Sequence, residues 1–317
     1  MLNLSFNLST RLKEKLQTLS KLRQDILIIP LSPKAELIIQ WNAKIDRTYS
    51  SLSLAGNPIT KSEMTKLLTS PQYSDLLKTR IDKNKRDVIG YKIAQDYIDQ
   101  NWLVANKSVS VKDILILYDI FCNGALRISM SKIQELLDYL QAYEESPIIQ
   151  AGIVSLGIIK IHPFSEGNGR LARLLSLLFL YKNGFDVRRL VAPENIWIKE
   201  RKIFEETAKM AQNTASITLW LEYFAESLSS QLKEVLERIK TGAHDSLGLS
   251  PDFWELNDRQ KQIMSMLEEP GTTITNRKVQ SQFKISQITA SRDLSRLSSL
   301  GLIFTHGKGR SIYYSRI

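Results

Sequence analysis

Apolar residues recur at helical spacing through most of residues 35 to 240, and no run there alternates with period two. AELIIQWNAKIDRTYSSLSL sets Leu37, Ile38, Trp41, Ile45 and Tyr49 along one helical stripe, which Gly56 to Pro58 bring to an end. TKSE at Thr60 and SVKD at Ser110 have capping-box form and open two more helices. Between them TSPQYSDLLKTRIDKNKRD, residues 69–87, reads as an irregular, solvated connection with a basic run. Five later helices fit SKIQELLDYLQAYEE, PIIQAGIVSLGIIK, NGRLARLLSLLFLYKNG, NIWIKERKIFEETAKMA and ITLWLEYFAESLSSQLKEVLERIK.

The texture changes at TGAHDSLGLSP, where Gly, Ser, Asp and Pro cluster in a linker taken as 241–253. Beyond it LNDRQKQIMSMLEE, NRKVQSQFK and SQITASRDLSRLSSLGL read as three helices, the third with Ile288, Leu294, Leu297 and Leu300 in an apolar stripe. LIFTHGKGRSIYYSRI then supplies two β-rich runs around HGKGR, a hairpin pattern. Three helices and a hairpin resemble the winged helix-turn-helix family over residues 254–317. The expected fold class is mainly α: an N-terminal segment 1–34, a large all-helical domain 35–240, the linker, and a small α+β domain.

A length of 317 residues suits one large core plus a second module, and 43% apolar with 24% charged residues is ordinary for a globular chain. The formal charge of +10 and isoelectric point near 9.5 favour polyanionic partners: nucleic acid, nucleotide phosphates or an acidic protein face. Cys122 is the sole cysteine, which excludes an intrachain disulfide, and His162, His244 and His306 are too scattered for a zinc cage. No signal-peptide pattern opens the chain and no apolar run approaches the ~20 residues a bilayer requires, so a cytoplasmic protein without a membrane partner is expected.

The chemistry concentrates in IKIHPFSEGNGRLARLLSLLFL, residues 159–180. Two apolar helices meet there at HPFSEGNG, which Pro163, Gly167 and Gly169 force away from helical geometry. Successive N–H groups of such a turn, at a helix N-terminus, form an anion-binding concavity. Arg170 and Arg173 lie three apart on one face of the new helix, placed to hold two phosphates. Glu166 beside phosphates calls for a hard cation between them, and Mg²⁺ fits. An imidazole titrates near neutrality, so His162 suits removal of a proton from an incoming hydroxyl. Together these residues describe nucleotidyl or phosphoryl transfer.

The run from His162 to Arg173, HPFSEGNGRLAR, matches every position of the HxFx(D/E)GNGRxxR signature of Fic-domain proteins, a family the chain resembles over most of residues 35–240. The resemblance implies an all-helical Fic fold and transfer of AMP from ATP to a Ser, Thr or Tyr hydroxyl of a target protein, with self-modification included. It implies His162 as general base, Glu166 as Mg²⁺ ligand, and Gly167, Asn168 and Gly169 as the cradle of the α- and β-phosphates. Arg170 would hold the β-phosphate and Arg173 the γ-phosphate, while Phe164 packs inward and fixes the loop. Related Doc-type toxins have lysine in place of the second glycine and phosphorylate instead, which Gly169 argues against.

Many Fic proteins carry an inhibitory helix with the pattern (S/T)xxxE(G/N), whose Glu pairs with the final motif arginine. SLSLAGN matches at Ser51 and Gly56, inside a region 36–57, but Ala55 stands where Glu belongs. The resemblance therefore implies a de-inhibited enzyme with Arg173 released for the γ-phosphate, and argues against AMP removal. The family's target-aligning flap falls near Asn123 to Ser129, with Arg127 and Ile128 as contacts. Trp197, Phe204, Trp220 and Tyr223 are candidates for the adenine wall, although aromatics at helical spacing also fit plain core.

By the winged-helix resemblance, the third tail helix would enter the major groove with Ser286, Gln287, Thr289, Ser291 and Arg292 outward, and Lys308 and Arg310 would meet phosphates at the wing tip. Residues 251–317 hold ten Lys and Arg against six Asp and Glu, a net +4. DNA binding, protein contact and dimerisation stay open on that charge, as does a second function class: a nucleotide-sensing, DNA-binding transcriptional regulator. A homodimer is also open.

Overall fold

The computed structural model describes residues 4–70, 73–78, 80–122, 130–142, 145–242, 255–267, 269, 271–307 and 311–316. Among them are fourteen α-helices and one small sheet. The main body contains α1 (Thr10–Ile28), α2 (Pro33–Leu54), α3 (Lys61–Thr69), α4 (Lys83–Asn101), α5 (Val111–Phe121), α6 (Ser131–Ala142), α7 (Pro147–Ile161), α8 (Asn168–Lys182), α9 (Glu194–Lys199), α10 (Arg201–Asn213) and α11 (Thr218–Lys240).

The pair α7–α8 is the centre. α7 is apolar on nearly every side, so it is stable only where other helices surround it. A Cβ on Gly152 would fall 2.7 Å from Leu221 of α11, so this glycine lets the two helices approach closely. Trp220 of α11 closes the same contact by donating from Nε1 to the Gly152 carbonyl at 2.8 Å. α1 lies along α11 and buries Leu12, Leu19, Leu22 and Ile26 in the same core.

The capping boxes at Thr60 and Ser110 are present, each closed by the acid three residues on, Glu63 and Asp113. The connection expected over 69–87 is instead partly helical. Tyr73–Lys78 forms a 3₁₀ turn, and α4 starts at Lys83 because Asp82 caps the N–H groups of Asn84 and Lys85. The basic run is thus the first turn of a 19-residue helix. Its inner face disguises itself by burying Lys92, Gln95 and Asp99 with Val88, Tyr91 and Ala94. The buried charges are paired: Lys44 of α2 reaches Asp96 and Asp99 at 2.7 Å each.

The tail contains α12 (Asp258–Ser265), β1 (Thr273–Ile274), α13 (Asn276–Phe283), α14 (Gln287–Ser299), β2 (Phe304–His306) and β3 (Tyr313–Ser315). The hairpin strands pair antiparallel, and β1, which the sequence pattern did not announce, adds to β3 in the order β1-β3-β2. A separate apolar cluster of Ile263, Leu267, Ile274, Val279, Ala290, Leu294, Leu297 and Ile303 fills this module. Ile288 departs from the expected stripe. It is 66% exposed, and Ala290 takes the core position. Leu300 joins the main core, and Gln100 Nε2 of α4 lies 2.8 Å from His306 Nδ1. No helix among the described residues is long and apolar enough to cross a membrane.

Candidate active site

α7 ends at His162, whose φ of +50° is left-handed, so the chain turns sharply away from the helix axis. Gly167, at φ +77°, completes the turn, and a Cβ there would meet Cys122 Sγ at 3.1 Å. Glycine therefore serves both the left-handed backbone and the close floor of the turn. α8 begins immediately after it, and no side chain caps its N-terminus. The first-turn N–H groups are the unsatisfied donors that an anion would fill.

The turn is held from within. Asn168 accepts from the Phe164 N–H at 3.0 Å and donates to the Phe164 carbonyl at 2.8 Å, which closes the loop on itself. Its Nδ2 also lies 3.3 Å from His162 Nε2. The Asn168 side chain is thus occupied in shaping the loop and orienting the imidazole, leaving backbone N–H groups to face the anion. Phe164, 2% exposed, stacks on Tyr118 of α5 with centroids 3.6 Å apart. The Tyr118 hydroxyl donates to the Glu166 carbonyl at 3.0 Å.

His162 and Glu166 are exposed, whereas Arg170 and Arg173 are each only 6% exposed. Arg170 Nη1 pairs with Asp87 Oδ1 at 2.8 Å, and its guanidinium lies over the Phe121 ring. Glu166 Oε2 accepts from Lys83 Nζ at 2.8 Å, and this bond lowers the pKa of the acid and raises that of the lysine. A cavity of about 530 Å³ adjoins both arrangements, lined by Lys83, Arg86, Asp87, Cys122, Glu166 and Arg170 among others. Among the described residues no three His, Cys, Asp or Glu side chains gather into a metal cage.

Arg173 meets α2. Its Nε donates to Ser51 Oγ at 2.7 Å and its Nη2 to the Ser51 carbonyl at 2.8 Å. Ser51, and not the residue at position 55, holds two of the guanidinium's donors. Ala55 caps the end of α2 and is exposed, one turn beyond Ser51, followed by Gly56 at φ +82°. Nearby, Glu194 at the start of α9 is 2% exposed, and burial raises its pKa. Burial pushes Arg173 down, opposed by the fields of Tyr91 and Glu194, and pushes Tyr91 up to about 12.

Trp197 and Trp220 are fully buried, and Trp197 stacks on Phe204 at 5.1 Å, so these three rings are core. Tyr223 borders a groove of about 420 Å³ between α10 and α11. Arg127, Ile128, Lys308 and Arg310 lie outside the described residues. Gln287 and Arg292 are exposed on α14, while the Thr289 hydroxyl lies 2.9 Å from Ser286 Oγ. Sequence reasoning missed Asp87, Lys83 and Tyr118. The Asp82 cap could have marked 83–101 as a helix, but only helix packing brings Lys83 and Asp87 to the loop.

Residues 122–180 match the Fic/DOC family model. The chain carries a Fic/DOC domain. Residues 259–314 match the DeoR-like helix-turn-helix domain. The chain is 25% identical over 168 residues to the protein adenylyltransferase Fic of Aedes aegypti, covering 45% of this chain and 33% of that one. It is 21% identical over 244 residues to the protein adenylyltransferase fic-1 of Caenorhabditis elegans, covering 67% and 46%. The chain therefore spans between a third and a half of these curated relatives. Among solved structures, a Fic family protein from Desulfovibrio desulfuricans G20 superposes with a TM-score of 0.61 at 14% identity, over 98% of this chain and 97% of that one. Fic-1 from C. elegans gives 0.60 at 18% identity over 73% of each. At these identities the likeness is one of fold, and with the first structure it extends through the tail.

Proposed function

We propose that the Fic/DOC domain is a protein adenylyltransferase that moves AMP from ATP to a Ser, Thr or Tyr hydroxyl of a target protein, with release of pyrophosphate. The observation that carries this reading is the uncapped N-terminus of α8, closed by the His162–Gly167 turn and flanked by two arginines. His162 removes the hydroxyl proton. The freed oxygen attacks the α-phosphorus as the bond to pyrophosphate breaks. Backbone N–H groups at 168–170, with Arg170 and Arg173, meet the charge that gathers on the leaving group. Asn168 keeps the imidazole aimed at the incoming hydroxyl.

Glu166, an exposed carboxylate at the motif's edge of a roomy cavity, fits Mg²⁺, which takes most of its ligands from phosphate and water. Glu166 would hold it, and the bound ion would neutralise phosphate charge. Lys83 releases Glu166 in that state and is left near the phosphates. Arg173 has a serine and no carboxylate within ion-pairing distance among the described residues, which supports a de-inhibited enzyme at Ala55.

Incubation with α-labelled ATP and Mg²⁺ is expected to label the protein itself or an added target, and His162→Ala to lower labelling by about a hundredfold or more. Equal labelling of the variant would overturn the reading.

The helix-turn-helix match supports a second, compatible reading, that the tail binds DNA and the chain acts as a transcriptional regulator. Gln287, Thr289 and Arg292 are its candidate base and phosphate contacts on α14. Steeply salt-dependent duplex binding tests it.

A further inference from the structure

On α14 the core positions Ala290, Leu294 and Leu297 gather on one side. Ile288 projects roughly 150° away from them, one turn from Arg292, at 100° per residue. It is the second residue of the helix, in the end whose side chains address base edges in helix-turn-helix modules.

Its polar neighbours are partly committed within the module. Ser286 Oγ accepts from the Thr289 N–H at 3.2 Å, and Ser291 Oγ accepts from Asn276 Nδ2 of α13 at 2.8 Å. Within α14 itself the exposed residues of this turn are Gln287, Ile288 and Arg292, with the N-cap Ser286 exposed beside them. A single isoleucine among an amide and a guanidinium is a poor protein-docking core, which needs several apolar side chains together. In a major groove the same trio is complementary: amide and guanidinium to base-edge acceptors, and the aliphatic side chain to the groove's apolar group, the thymine 5-methyl.

We infer that Ile288 is a specificity-determining residue that reads thymine by packing against its 5-methyl group. This rests on the DNA-binding reading of the tail. The full chain is used to select preferred duplexes from a randomised pool, and each thymine of the selected sequence is then replaced by uracil, which removes only the methyl group. One replacement is expected to weaken binding about three- to fivefold, the value of one buried methyl. Ile288→Ala is expected to weaken the thymine duplex similarly, to abolish the thymine–uracil difference, and to leave the salt slope unchanged because no phosphate contact is lost. As an exposed position, Ile288 tolerates the change without loss of fold, which the melting temperature reports. Absence of any uracil effect, or an effect that persists in Ile288→Ala, overturns the inference while leaving DNA binding intact. Absence of salt-dependent binding to any duplex overturns both.

Discussion

Arg170 and Arg173 stand one turn apart on the same helix with equal exposure, yet their surroundings are opposites. Arg170 has a carboxylate partner in Asp87, an aromatic ring beneath it and an open cavity beside it. Arg173 is buried against α2 and held by a neutral hydroxyl and a carbonyl. The first charge is compensated by the protein. The second has no carboxylate partner and is favoured only by Tyr91 and the more distant field of Glu194. A buried cation with neutral partners is poised to accept an anion, because a phosphate supplies the counter-charge the fold withholds.

The largest test of this contrast is a pair of truncations. Arg170→Ala leaves the Asp87 carboxylate, 17% exposed, without its partner, and is expected to cost about 3 kcal/mol in urea unfolding. Arg173→Ala strands only neutral groups and is expected to cost about 1 kcal/mol. Equal costs would erase the distinction.

Next comes Ala55→Glu. The new carboxylate sits one turn beyond Ser51, and if it pairs with Arg173 the two arginines become alike. ATP affinity measured by calorimetry is then expected to fall about tenfold, or about 1.4 kcal/mol. Unchanged affinity would remove position 55 from control of Arg173.

The smallest effect concerns Glu194. Its raised pKa means the folded state holds the proton more tightly than the unfolded state. As pH rises from below the ordinary carboxylate value through the raised one, wild-type stability should therefore decline relative to Glu194→Gln. Urea titrations across that window measure the difference, and a flat difference would show that burial does not set this group's titration.

The sequence was most informative where interactions are short in range. Capping boxes at Thr60 and Ser110 need only four residues, and the stop at Gly56 needs one left-handed glycine. The His162–Arg173 loop likewise assembles from a turn and the first helical turn after it. Reading failed where burial contradicted composition. The basic run from Lys83 to Arg86 made the start of α4 look like a solvated loop, whereas the helix buries Gln95 and Asp99 against partners on α2, Lys44 among them. Ile288 looked like core because apolar character alone does not say which way a side chain points.

The amino-acid order by itself determined the mainly helical class, the winged tail and the set of chemical groups in the loop, since periodicity and local turn geometry encode all three. Only the tertiary structure decided what those groups touch. Asp87 reaches Arg170 from more than eighty residues upstream, and Ser51 reaches Arg173 from more than a hundred. Such pairings follow from helices packing over a shared core, and no local pattern in the chain records them.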